Sequence, residues 1–145
     1  MRRGDGLRWG LLALGVGAAL LTGCRRTAEL GETAWELIAY GSADVPLAAE
    51  APATISFEDN GRMGGSTGCN SFFGNFETED GRLTWRDGEL AFTVMGCNLA
   101  SSAGKQDAFF RKWLVQGADY TQTADRLVLL FDSGRQVAEY RLSDE

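Results

Sequence analysis

Beyond residue 32, apolar and polar residues alternate along most of the chain, and a period of two predicts strands. Trp35, Leu37 and Ala39 share one face of the first, with Glu36, Ile38 and Tyr40 on the other. Residues 42–53, with Pro46 and Pro52, read as a loop, and residues 54–57 as a short strand. Glu58-Asp59-Asn60-Gly61 ends in Asn-Gly, the strongest short hairpin signal. It predicts a return strand over 62–67, weakened by Gly64 and Gly65. Residues 68–73 break the alternation and predict a short helical turn. Residues 75–79 and 82–86 flank an Asp80-Gly81 turn, and Asp87-Gly88 predicts a further turn into a strand over 90–95. One segment changes period. Over 102–116, Phe109 and Trp113 stand four apart, as do Phe110 and Leu114, which predicts one apolar stripe on a helix. Ser101 or Ser102 caps it and Gly117 stops it, while Lys105, Gln106, Arg111 and Lys112 fall mostly off the stripe. Strands follow over 120–123, 126–132 and 135–142; the second is apolar on both faces and predicts a covered, central strand. Together these elements predict a mainly β (α+β) fold. It is a small antiparallel barrel or strongly bent sheet, with one helix near residues 102–116 packed on it.

The amino-terminal residues follow a different pattern. Arg2, Arg3 and Arg8 precede an apolar run over 9–22. That run is shorter than the roughly 20 residues a membrane-spanning helix needs, and its charge order is that of an export signal. It ends in Leu21-Thr22-Gly23-Cys24, which resembles the lipobox of bacterial lipoproteins. The resemblance implies a signal peptide over 1–23, cleavage before Cys24, and acylation of the Cys24 thiol and of the new amino group. Several acyl chains anchor stably where one is marginal. Residues 24–32 are polar and aperiodic and read as a tether to a domain over 33–143. Arg25 stands where, in enteric-type lipoproteins, an Asp favours the inner membrane. The expected place is therefore the cell envelope, lipid-anchored to the membrane, with the periplasmic face of the outer membrane favoured.

Composition narrows the chemistry. Removing residues 1–23, with Arg2, Arg3, Arg8 and Asp5, takes the net charge from −6 to −8. An acidic surface argues against nucleic acid as a partner. The chain has no histidine, so His-based triads and His-ligated metal sites are excluded. Of three cysteines, lipidation takes Cys24 and leaves Cys69 and Cys97 in an oxidising compartment. A bridge between them closes a loop of about 29 residues and is worth roughly 3–4 kcal/mol in the chain-entropy account. A thiol nucleophile or a metal site remains the competing reading of this pair.

Three stretches resemble the META domain family, which includes the bacterial heat-shock lipoprotein HslJ. The first is Gly68-Cys69-Asn70-Ser71-Phe72-Phe73-Gly74-Asn75-Phe76. The second is Phe92-Thr93-Val94-Met95-Gly96-Cys97, and the third is Phe109-Phe110 followed by Leu127-Val128-Leu129. Trp35-Glu36-Leu37 also fits. Gly96 and Gln106 depart from the family's usual Ala and Glu. In this motif Gly68 and Gly74 are expected to take angles a side chain would forbid, and Asn70 to hold the turn. Asn70, Ser71 and Thr93 are the candidate binding surface.

The resemblance implies an envelope protein linked to stress or antibiotic tolerance, with no enzymatic activity defining the family. The expected function is a non-catalytic binding module with no cofactor and no metal, meeting a periplasmic protein partner. Alternatives are a structural subunit of an outer-membrane assembly and an inhibitor of a periplasmic hydrolase. The enzymatic alternative rests on carboxylates at two turns, Glu77, Glu79 and Asp80, then Asp87 and Glu89. Charge at turns is normally solvated surface.

Overall fold

The computed structural model describes residues 30–144. The expected signal peptide, Cys24 and nearly all of the expected tether lie outside the described residues. The rest forms a mainly β fold, as the alternation predicts. Its strands are β1 (Thr33–Ser42), β2 (Leu47–Ala48), β3 (Thr54–Phe57), β4 (Arg62–Ser66), β5 (Ser71–Glu79) and β6 (Arg82–Phe92). After the helix α1 (Ser102–Trp113) come β7 (Ala118–Gln122), β8 (Arg126–Phe131) and β9 (Gln136–Leu142). Every pairing is antiparallel, and β9 returns to pair with β1, so eight strands close into a barrel. The two-residue β2 adds to the outer part of β1. Closure removes the free sheet edges that invite aggregation.

The barrel interior is the core. Trp35, Ile55, Phe57, Met63, Phe72, Leu83, Leu127, Leu129 and Tyr140 all point inward and are buried. The strands β1, β4, β6 and β8 run in one direction and finish at the same end. Helix α1 covers that end. Phe109 meets Tyr40 of β1 and Phe131 of β8, at ring centroid distances of 5.3 and 5.9 Å. Phe110 and Leu114 are buried in the core, and the Trp85 indole donates to the Leu114 carbonyl at 2.8 Å. Ser101 caps the helix by accepting from the Gly104 N–H at 3.1 Å. A 3-10 turn over Leu114–Gln116 and Gly117, at φ 75°, end it, close to the expected limits.

Several local expectations give way to register. The Trp35-Leu37-Ala39 face does not persist, because a bulge between Leu37 and Ala39 shifts the pairing. The shift turns Tyr40 inward to meet the helix. Residues 68–73 form no helical turn: they bend only at 68–70, and β5 begins at Ser71. Asp87-Gly88 is not a hairpin turn. Gly74 pairs with Leu90 and Phe76 with Trp85, so one residue opposes four within the unbroken strand β6. Positive φ at Asp87 (65°) and Gly88 (71°) looks like a turn locally but serves a wide bulge. β8 is covered on one face only, with Leu127, Leu129 and Phe131 inward and Val128 and Leu130 half-buried outside.

Candidate functional site

The candidate site lies where β4 and β5 meet the helix. Its base is the turn over 67–70. The Thr67 N–H donates to the Asn70 carbonyl at 2.8 Å. The Thr67 hydroxyl oxygen accepts from the backbone N–H of Asn70 (3.0 Å) and of Cys69 (3.3 Å). Such side-chain-to-backbone bonds fix a tight turn. Gly68 sits inside it at φ +99°, and a Cβ there would stand 2.9 Å from Gln106 Nε2. Gly74 serves differently from expectation: its φ is ordinary, but a Cβ would stand 3.1 Å from Leu90.

Helix α1 supplies three side chains. Gln106 is fully buried, not off the packed face as its polarity predicts. Its Oε1 accepts from the N–H groups of Glu50 and Ala51, each at 3.2 Å. Its Nε2 donates to the carbonyls of Ala51 (3.0 Å) and Thr67 (3.1 Å). The amide thereby fills both donors and both acceptor positions. One turn on, Asp107 accepts through Oδ1 from the Thr67 hydroxyl (2.6 Å) and from Asn70 Nδ2 (3.1 Å). Its Oδ2 accepts from Arg111 Nε at 2.7 Å. Burial pushes the Asp107 carboxyl up. The bonds from Thr67, Arg111 and Asn70 and the Arg111 charge outweigh that and hold it below its ordinary value. The Arg111 guanidinium lies 4.9 Å from the Phe92 ring centroid and donates onward to the Thr93 carbonyl.

Asn70 joins turn, helix and the segment after β6. It is 2% exposed, so it is no part of the surface itself. Its Oδ1 accepts from the Met95 N–H at 2.6 Å and from the Thr93 hydroxyl at 3.1 Å. Ser71 and Thr93 stay exposed and bind each other through backbone, with the Thr93 N–H on the Ser71 carbonyl at 2.9 Å. Cys69 and Cys97 stand at disulfide distance, with Cα atoms 6.3 Å apart. Next to them the surface is apolar: Val94, Met95 and Leu99 are 90%, 65% and 76% exposed, and Phe73 on the outer face of β5 is 57% exposed.

This arrangement is suited to bracing. Both Asp107 oxygens are occupied, and its proton-accepting power is lowered rather than raised toward neutrality. The carboxylates of the enzymatic alternative are exposed on the hairpin and the bulge, where Glu77 pairs with Arg86 at 3.0 Å. Among the described residues, no three of Cys, Asp and Glu converge as metal ligands, and no helix is long and apolar enough to cross a membrane. Asp107 is the site residue that sequence reading missed. Its signal was present, as a carboxylate four residues before an Arg on a helix.

The META domain profile matches residues 28–144. The chain belongs to the META domain family. Solved structures share the fold of this META domain. An NMR structure of a protein from Burkholderia xenovorans has a TM-score of 0.63 at 24% identity, covering 80% of this chain and 85% of that one. A second NMR structure has a TM-score of 0.61 at 29% identity, covering 79% and 92%. A crystal structure of a DUF4847 family protein from Bacteroides vulgatus has a TM-score of 0.54 at 12% identity, covering 80% and 96%. No curated protein matches. META is not a family of known enzymes, and membership assigns this chain no activity.

Proposed function

We propose that this chain is a lipid-anchored cell-envelope protein that acts by binding a periplasmic protein, not by catalysis, in envelope stress or antibiotic tolerance. The observation that carries the reading is the commitment of the buried polar cluster. Thr67, Asn70, Asp107 and Arg111 bond to one another and to residues 93–95, and hold that segment in place. What they hold is exposed: Ser71, Thr93 and the apolar Val94 and Met95. A preordered surface spares a binder part of the entropy of association. The geometry suits an anchored binder. Leu30, the first described residue, precedes β1, whereas the exposed segment lies at the end where β1 finishes. A tether at residues 24–32 therefore leaves that segment pointing away from the membrane.

Two measurements test this reading. Mass spectrometry of the mature protein from membranes is expected to show a chain beginning at Cys24 and carrying diacylglycerol and an amide-linked acyl chain. Retention of residues 1–23, or a free thiol at Cys24, would remove the anchor. A photo-crosslinking side chain at position 94 is expected to capture one dominant protein in intact envelopes. No adduct under stress or without it would rule out the binding role.

A further inference from the structure

We propose that the Cys69–Cys97 pair is a redox latch: opening it frees residues 93–99 and leaves the barrel closed. The ladder between β5 and β6 ends at Phe72 and Phe92. Residues 93–98 belong to no strand or helix. Apolar burial does not anchor them, since Val94, Met95 and Leu99 are largely exposed. Up to Met95 the segment is held by Asn70, Ser71 and Arg111. Beyond Met95, the tie to the barrel among the described residues is Cys97 on Cys69.

The bridge also touches the other anchor. Asn70 Nδ2 lies 3.5 Å from Cys69 Sγ and 3.8 Å from Cys97 Sγ, while its Oδ1 holds Met95. Parting the sulfurs thus disturbs the amide that secures the rest of the segment. The effect extends to the start of α1. The Ser101 N–H and hydroxyl both bond to the Asn98 carbonyl, and a Cβ on Gly104 would collide with that same oxygen. The barrel does not share this dependence, because β1 and β9 close it through seven residue pairs.

The bridge is open to attack. Both cysteines are half-buried, and a Cβ at Gly96, beside Cys97, would meet nothing within 4 Å. A dithiol supplies the electrons. One of its thiolates attacks a bridge sulfur, forming a mixed disulfide and expelling the other cysteine as thiolate. The second thiol then displaces the first cysteine. The dithiol leaves as a disulfide, and two electrons and two protons pass to Cys69 and Cys97.

Any effect on partner capture rests on the surface proposed above; the latch does not. The test is hydrogen exchange by mass spectrometry on the folded protein, oxidised and after dithiothreitol without denaturant, with C69S/C97S as a second reduced form. The expected result is uptake of two alkyl groups after reduction and exchange at least tenfold faster over 93–104. Peptides from β1, β8 and β9 should be unchanged. Bridge reduction only in denaturant, unchanged exchange over 93–104, or equal acceleration throughout the barrel would each overturn the latch. Faster exchange over 93–104 with no protein captured from position 94 in either redox form would support the latch and overturn the surface reading instead.

Discussion

Asp107→Ala is expected to lower the free energy of unfolding by about 3 kcal/mol at neutral pH, near the lower end for breaking a buried ion pair. The low end applies because the Arg111 side chain is 34% exposed and water repays part of its loss. The larger share comes from donors left behind. Thr67 and Asn70 aim a hydroxyl and an amide at a carboxylate that no longer exists, in a turn that is almost dry. The pH dependence has a definite sign. The folded carboxyl titrates below its ordinary 3.8, so burial is outweighed and its contribution is fully present above that value. It is lost as pH falls further, through the lowered folded value. The gap between wild type and variant in urea denaturation should therefore be constant from pH 5 to 7 and narrow in acid below 3.8. A gap that widened in acid would mean that the carboxyl is strained rather than stabilised.

Phe110→Ala is expected to cost about 4 kcal/mol, the usual range for removing a buried aromatic ring being roughly 3–5. Phe110 is 1% exposed and meets Phe109 edge to face at 5.3 Å. Phe109 in turn touches Tyr40 and Phe131, so the ring stack ties the helix to two strands. A cavity beneath α1 should loosen the whole helix-bearing end, including Asp107 and Arg111 on the same helix. Chemical denaturation measures the loss. A cost under 1 kcal/mol would mean that the helix rests on the barrel without plugging it.

Much of this fold was legible in the chain because a barrel strand has one inner and one outer face, and the alternation of β3 and of residues 82–86 in β6 records that directly. The helix was equally plain, since Phe109, Phe110, Trp113 and Leu114 repeat at its own period. Bulges were not legible. The extra residue after Leu37 and the four opposite Asn75 leave no period of their own, and a positive-φ pair such as Asp87-Gly88 suits a bulge as well as a hairpin. Polarity misled in the site. Gln106 and Asp107 look like solvent-facing residues until the unpaired backbone at 50–51 and the 67–70 turn are folded against them. Only the tertiary structure supplies those partners. Asn70 shows the same effect in reverse, as a motif residue expected at the surface that serves beneath it.

The bracing role of the buried cluster is tested most directly at one amide. Exchange of the Met95 N–H, followed by NMR, reports whether Asn70 Oδ1 holds the exposed segment. Slow exchange in the wild-type protein is predicted, with at least a tenfold acceleration in Asn70→Ala while amides of β8 keep their protection. Free exchange of the Met95 amide in the wild type, or the same slow rate in both proteins, would contradict it.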